Sequence, residues 1–157
     1  MLLSIDPGLR GCGVAAWGDD KQLLRAAYVK NPDEAAWLPM VEAVKREFKN
    51  LLNYITYVAI EIPQVYVQAR WKGDPNDLIQ LAGLVGCFCG ALDGTGHKLY
   101  KPAEWKGQVK KEITEMRARK RLSATELAVV ELPKAAHGLA HNVWDSVALG
   151  LFHLGRR

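Results

Sequence analysis

Three apolar segments separated by short turns open the chain, and they limit its fold more than any other feature does. They cover residues 2–5, 12–17 and 23–29. Turn residues between runs of β-forming residues indicate hairpins, so we expect a three-stranded antiparallel meander. The first segment ends in Asp6 and turns on Pro7-Gly8, which leaves a carboxylate where a buried strand emerges from the core.

Helices and strands alternate after the meander. The predicted elements are a helix with an apolar face from Val41 to Leu52, a strand at 57–62, a helix at 77–92, a short strand at 98–100, helices after Pro102 and after Ser123, and a final helix at 139–154. Strands joined through helices are typically parallel, so the last two strands should run parallel to the first. We therefore predict an α/β fold with a five-stranded mixed sheet, helices on both faces and one domain over residues 1–157.

Composition excludes several classes of protein. No apolar run approaches the ~20 residues that cross a membrane, and the first residues lack the pattern of a secretory signal. The cysteines Cys12, Cys87 and Cys89 are an odd number without an export signal, which indicates reduced thiols in a cytoplasmic protein. Cys87 and Cys89 could belong to a metal site, but no second cysteine pair accompanies them.

Positive charge is concentrated in one segment, although the net charge of the chain is only +4. The segment contains Lys101, Lys106, Lys110, Lys111, Arg117, Arg119, Lys120 and Arg121, opposed by Glu104, Glu112 and Glu115. Such a segment suggests a polyanion as partner. The alternative is a solvated helix face with local ion pairs.

Carboxylates stand at the ends of two predicted strands and on the last helix. Asp6 ends the first strand, Glu61 ends the fourth, and Asp145 lies on an apolar helix, one turn after His141. If the two strands are parallel neighbours, their acids meet at one edge of the sheet, where sites form in open α/β sheets. Like charges in such a cluster repel, and a divalent cation that prefers oxygen ligands, Mg²⁺ or Mn²⁺, would neutralise them. Singly, each acid has another explanation: a turn cap for Asp6, an ion pair for Glu61, and a cap or pair within its helix for Asp145.

Four segments resemble the RuvC-like Holliday junction resolvases of the RNase H-like, or retroviral integrase, superfamily. They are "IDPGLRGCGVA" from Ile5, "VAIEIP" from Val58, "KPAEWKGQVKK" from Lys101 and "HNVWDSVALGL" from His141. Each is weak alone, but their order and spacing span essentially the whole chain. The resemblance, which extends to phage-type members, implies an endonuclease that nicks branched DNA as a homodimer in a bacterial or phage-infected cytoplasm. It implies two Mg²⁺ ions per site, with Mn²⁺ as a substitute, and no membrane or small-molecule cofactor.

The resemblance also implies roles for individual residues. Asp6, Glu61 and Asp145 match the metal-binding acids, with Asp6 between the two ions. The family usually has a fourth ligand, Asp or His, three residues before the last acid; here Asn142 stands there and His141 precedes it, and spacing does not choose between them. The family's lysine-bearing segment matches the stretch that holds Lys106, Lys110 and Lys111. Of these, Lys110 and Lys111 are favoured as the catalytic lysines.

DNA contacts are expected from the loop after Glu61, from the basic segment between Lys101 and Arg121, and from the turn that holds Arg10. In the loop, aromatic and basic side chains suit base stacking and phosphate contact, unless the aromatic rings pack onto the core. The expected DNA-binding residues are Arg10, Tyr66, Arg70, Trp71, Lys72, Lys106, Arg117, Arg119, Lys120 and Arg121.

Glycines in the helix at 77–92 each lower its stability, which is worthwhile where another backbone approaches closely. That backbone belongs either to the chain's own sheet or to a second subunit. The resemblance favours a dimer interface at Gly83, Gly86 and Gly90.

Three other functions compete with junction resolution. The first is an RNase H-like nuclease that cuts RNA or flaps as a monomer. The second is an ATP-binding protein of the actin and sugar-kinase type, which shares the glycine pattern after Asp6 but needs two such domains. The third is a non-catalytic module that binds branched DNA, which the presence of Asn142 at the fourth ligand position keeps open.

Overall fold

The computed structural model describes residues 1–34, 36–65, 74–107, 109–134 and 139–156. The strands there are β1 Leu2–Asp6, β2 Gly11–Trp17, β3 Leu23–Lys30, β4 Tyr57–Glu61, β5 Gly96–Tyr100 and β6 Val130–Glu131. The helices are α1 Trp37–Glu47, α2 Lys49–Leu52, α3 Pro75–Ala91, α4 Pro102–Trp105, α5 Lys111–Arg121, α6 Ala124–Ala128 and α7 Ala140–His153. No helix among these residues is long and apolar enough to cross a membrane.

The six strands form one mixed sheet in the order β5-β4-β1-β2-β3-β6. The β1–β2 and β2–β3 pairs are antiparallel, whereas β1–β4, β4–β5 and β3–β6 are parallel. The predicted α/β fold, with its meander and two further parallel strands, is confirmed. The sheet has one strand more than the five predicted. At two residues, β6 is too short to produce a pattern in the sequence, and it is fixed by pairing with Ala26 and Ala27 of β3.

Alternation along the central strands gives each face of the sheet its own core. Leu3 and Ile5 of β1 join the core under α1 and α3. Leu2 joins the core under α5 and α7, together with Ala59 of β4. Because residues two apart share a face, Asp6 and Glu61 lie on the α7 side of the sheet. The period of two in β1 and β4 therefore decides which helix can reach the strand-end acids.

Helix α7 packs against the sheet more closely than ordinary side chains permit. A Cβ on Gly13 of β2 would lie 1.8 Å from the carbonyl oxygen of Asn142. Near the other end of the helix, a Cβ on Gly150 would lie 2.2 Å from Nε1 of Trp17. Gly13 leaves room for the backbone of the helix, and Gly150 leaves room for the indole ring of Trp17. These contacts fix the height of α7 above β1 and β2.

Candidate active site

Three acidic side chains converge at one edge of the sheet, and we call them the carboxylate cluster: Asp6, Glu61 and Asp145. Strands β1 and β4 are parallel and pair up to Ile5 opposite Ile60, so Asp6 and Glu61 are the next residues along neighbouring strands. Helix α7 crosses β1 and β2 and carries Asp145. The side chains of Asp6 and Asp145 are buried, and Glu61 is partly buried.

Lys106 lies directly after α4 and forms ion pairs with two members of the cluster. Its Nζ is 3.0 Å from Oδ2 of Asp145 and 3.1 Å from Oε2 of Glu61. Trp105 donates a hydrogen bond from Nε1 to Oε2 of Glu61 at 2.8 Å. The Lys106 ammonium is 4.7 Å from the centre of the Trp105 ring. One short segment, Trp105–Lys106, therefore holds Glu61 and Asp145 together.

Burial and nearby like charges both raise pKa values within the cluster. Burial raises the pKa of Asp6 well above its ordinary value, and the charges of Glu61 and Asp145 raise it further. Burial also raises the pKa of Glu61, although Lys106 and the Trp105 hydrogen bond act in the opposite direction. Burial alone would lower the pKa of Lys106, but the surrounding carboxylates outweigh it and raise that pKa. Like charges held close together in a buried site favour the binding of a cation.

The carboxylate oxygens of the cluster are suitable ligands for a hard divalent cation, although Glu61 and Asp145 are paired with the Lys106 ammonium in this structure. Carboxylate oxygens are the ligands that Mg²⁺ and Mn²⁺ prefer, and buried like charges require a cation nearby. In the part of the chain that the structure describes, no three His, Cys, Asp or Glu side chains stand in an arrangement that could hold a metal. The Lys106 ammonium contacts the two carboxylates from which such an arrangement would be built.

The structure places the other predicted metal and catalytic residues around this cluster. Lys111 Nζ is 3.1 Å from Nε2 of His141, and the charge of Lys111 lowers the Asp6 pKa slightly against the larger effects. The Asn142 amide lies beside the β1–β2 turn, with Nδ2 3.8 Å from where a Cβ on Gly8 would be. Lys110 is exposed just before α5. The roles predicted for these four residues stay predictions.

Sequence reasoning missed Trp105 and assigned Lys106 to DNA binding rather than to the carboxylates. Neither residue lies in a long periodic element: α4 covers only four residues, and Lys106 follows it. The available signal was the Trp-Lys pair within the stretch that resembles the resolvases, but spacing alone does not orient side chains on an irregular segment.

Basic residues border a cavity of about 400 Å³ between α5 and α7, next to the carboxylate cluster. Its lining residues include Trp105, Lys106, Arg117, Arg121, Phe152 and Arg156. Arg117 and Arg121 are exposed, and no ion pair involves them among the described residues. Both were predicted to bind DNA, and the cavity gives them a common position.

Other predicted DNA contacts differ in their surroundings. Arg119 pairs with Glu115 at 2.8 Å and lies 4.3 Å from the centre of the Trp144 ring, so it has a role within the fold. Arg10 lies 3.6 Å from Glu34 on the surface. Lys120 is exposed on α5. The loop residues predicted to stack and bind phosphate lie outside the described residues: Tyr66, Arg70, Trp71 and Lys72.

The three glycines of α3 have different environments. A Cβ on Gly83 would lie 2.4 Å from the ring of Trp37, so this glycine allows α3 to pack on α1 of the same chain. Gly86 and Gly90 are exposed, and a Cβ on either would meet nothing within 4 Å. Gly83 therefore has a role within the chain, whereas Gly86 and Gly90 remain candidates for a surface where a second subunit approaches.

The overall fold is that of the Holliday junction resolvases. RuvC from Thermus thermophilus matches over 98% of this chain and 92% of its own, with a TM-score of 0.58 and 23% identity. The fowlpox virus resolvase, solved with substrate Holliday junction DNA, matches over 98% and 99%, with a TM-score of 0.59 and 13% identity. The yeast mitochondrial resolvase Ydc2 matches over 96% and 78%, with a TM-score of 0.52 and 9% identity.

These likenesses establish the fold, and the predicted resemblance to resolvases is confirmed at that level. No protein-family model matches the sequence. A search of curated proteins finds no match either.

Proposed function

We propose that this chain is a metal-dependent endonuclease that resolves Holliday junctions and other branched DNA. The observation that carries the proposal is the convergence of Asp6, Glu61 and Asp145 at one sheet edge of a resolvase fold. Lys106 pairs with Glu61 and Asp145, and the described residues include no ion-pair partner for the buried side chain of Asp6 beside them. A site that binds a cation accounts for this third buried acid.

The chain's own residues would divide the work of phosphodiester hydrolysis. Asp6, Glu61 and Asp145 would hold Mg²⁺, with Asn142 or His141 as a further ligand. Mg²⁺, when bound, would activate the attacking water and stabilise the charge that develops on the phosphate. The bond between phosphorus and the 3′ oxygen would break, which leaves a 5′-phosphate at the nick. Trp105 orients Glu61 by donating to Oε2, so one carboxylate oxygen has a fixed direction before any ligand arrives.

The basic cavity suits the path of a DNA strand that leads to the carboxylates. Arg117 and Arg121 offer guanidinium groups for phosphates, which Arg binds in a bidentate manner. Trp105 and Phe152 add ring surface on which an unpaired base could stack. Since Trp105 also contacts Glu61, a DNA strand in the cavity would be separated from the carboxylate cluster only by the Trp105 side chain.

A homodimer is part of the proposal because a four-way junction presents two equivalent strands to be cut. Ile79, Gly86 and Gly90 are spaced by seven and four residues, which places them on one face of α3. Ile79 is 68% exposed, and Leu38 at the start of the neighbouring α1 is 60% exposed. Exposed apolar side chains beside exposed glycines are typical of a helix surface that a partner covers.

The test is nicking of labelled four-way, three-way and linear DNA with Mg²⁺ by the wild type and by Asp6→Asn. We expect the wild type to nick junctions, and Asp6→Asn to bind them without nicking, because it removes one negative charge from the metal site and keeps the side-chain volume. Asp93→Asn is a matched control, since Asp93 is an exposed acid in the turn before β5, at the opposite end of the sheet.

Nicking by Asp6→Asn at the wild-type rate would refute the assignment of the site. Cleavage of an RNA–DNA hybrid but not of junctions would favour the monomeric RNase H-like alternative. Junction binding by the wild type, without nicking under any divalent cation, would favour the non-catalytic binding module.

A further inference from the structure

We propose that Lys106 and the divalent cation occupy the carboxylate cluster in turn: the Lys106 ammonium holds Glu61 and Asp145 together in the metal-free protein, and metal binding displaces it. This inference rests on the proposed function, because it takes the cluster as the metal site. It adds a determinant of metal affinity that is built into the chain. Lys106 is thereby assigned a role at the carboxylates before any DNA is present.

The contacts show that the ammonium uses the oxygen atoms that a metal would need. Lys106 Nζ is 3.0 Å from Asp145 Oδ2, and 3.1 and 3.4 Å from the two oxygens of Glu61. Both carboxylates are therefore engaged by one cation. The ammonium has three donors, so it can bind oxygen atoms of both carboxylates at once.

Burial makes this more than a surface ion pair. The side chains of Lys106, Glu61 and Asp145 are 21%, 15% and 8% exposed. Exposed pairs form and break at little cost, whereas desolvated pairs hold their geometry. A metal that enters the cluster must therefore compete with a bound cation rather than with water alone.

Simultaneous occupation by both cations is unfavourable. Mg²⁺ binds carboxylate oxygens at about 2.1 Å, so an ion on Asp145 Oδ2 would lie within about 5 Å of an ammonium still bound there. Three positive charges at that separation in a buried site repel strongly. Since the oxygen atoms are shared, exchange keeps a cation on Glu61 and Asp145 at every stage.

The Lys106 side chain can leave the carboxylates toward the neighbouring cavity while Glu61 stays in place. The side chain of Lys106 borders the cavity between α5 and α7, which is an alternative position for the ammonium. Trp105 keeps its own hydrogen bond to Glu61, so release of the lysine does not release the carboxylate.

Lys111 provides a control within the same site. Its charge acts on Asp6, as that of Lys106 does, but its Nζ contacts His141 rather than a member of the cluster. Removing either lysine deletes one positive charge near the carboxylates. Lys111 contacts one candidate further ligand at most, so its removal would free a single nitrogen atom, whereas removal of Lys106 frees oxygen atoms of both Glu61 and Asp145.

The test is calorimetric titration of Mn²⁺ into DNA-free protein, with Lys106→Met and Lys111→Met compared with the wild type. We expect Lys106→Met to bind Mn²⁺ at least about tenfold more tightly, and Lys111→Met to change affinity by less than about threefold. The Mn²⁺ affinity of Lys106→Gln, which keeps an amide donor for one carboxylate, should lie between those of Lys106→Met and Lys111→Met. Equal affinities of Lys106→Met and wild type, or equal gains from both lysine variants, would overturn the exchange.

A second measurement uses the wild type alone, so it does not depend on how the variants fold. Acylation of individual lysines is followed by mass spectrometry without and with saturating Mn²⁺. We expect Lys106 to become several-fold more reactive when Mn²⁺ is bound, while the exposed Lys120 does not change. Calorimetric Mn²⁺ binding without a change at Lys106 would overturn the inference and leave the proposed function standing. Absence of binding to every protein would overturn both.

Discussion

Replacement of Gly13 by alanine should disrupt the site by moving α7, although Gly13 has no side chain of its own to contribute. The new Cβ would lie 1.8 Å from the Asn142 carbonyl oxygen, 2.3 Å from its carbonyl carbon and 2.8 Å from the backbone nitrogen of Val143. Ordinary contact begins near 3.4 Å. The strand and the first turn of the helix must therefore separate by roughly 1.6 Å, since backbone atoms cannot rotate away as side chains do.

The expected cost follows from this displacement. Overpacking a closely fitted core typically costs about 1–3 kcal/mol, which corresponds to a fall of about 2–12 °C in Tm for a chain of this length. Asp145 is three residues beyond Asn142 on the same helix, so it moves with that turn. A misplacement of ~1 Å at a catalytic site can lower the rate by ~100-fold. Nicking should thus fall further than the loss of stability alone explains.

Thermal unfolding and junction nicking of Gly13→Ala should be measured beside those of Gly94→Ala. Gly94 has φ of 86° in the turn before β5, and a Cβ there would meet nothing within 4 Å. Its alanine variant should lose stability through backbone strain of about 1–3 kcal/mol without moving α7. A wild-type Tm for Gly13→Ala would refute the packing argument. Equal nicking by both variants at equal Tm would refute the claim that Gly13 positions Asp145.

Three further predictions concern stability, assembly and DNA affinity. The pKa of Glu126 is lowered from an ordinary 4.5 to about 2 by hydrogen bonds from Arg156, from backbone amides and from Ser123. The resulting stabilisation is therefore present above pH 4.5 and is lost as the pH falls toward 2. Glu126→Gln should lose about 2 kcal/mol of stability at neutral pH and show a flatter dependence of Tm on pH over that window. Gly86→Gln should shift the solution mass from dimer to monomer in light scattering with an unchanged far-ultraviolet circular dichroism spectrum, and an unaltered mass would remove this face of α3 from the interface. Arg117→Ala should weaken junction binding and lower the slope of log affinity against log salt by about 1, whereas loss of affinity without a change in slope would argue against a phosphate contact.

The strand-end acids were predictable because strands have a simple period. Two apolar runs with acids at their ends predict that Asp6 and Glu61 lie side by side, once the strands are parallel neighbours. The position of Asp145 was predictable from the apolar stripe of its helix, because that stripe must face the sheet. Regular elements thus transmit the sequence pattern directly into the placement of the carboxylates.

Lys106 and Trp105 were not predictable in the same way. They lie at the end of a four-residue helix and on the segment after it, where no period relates one side-chain direction to the next. Only tertiary contacts orient them. The same limit applies to Gly83, whose neighbour Trp37 comes from a distant part of the sequence.

The fit of α7 on the sheet at both Gly13 and Gly150 has a consequence for how the protein loses its site. A helix held at two points along its length cannot slide or roll without losing core contacts, so its fluctuations are tied to those of the whole sheet. Asp145 should then leave its position only in the cooperative transition that also exposes Trp17 and Trp144, both buried in this layer. Under partial denaturation the population should therefore consist of molecules with a complete site and molecules with none.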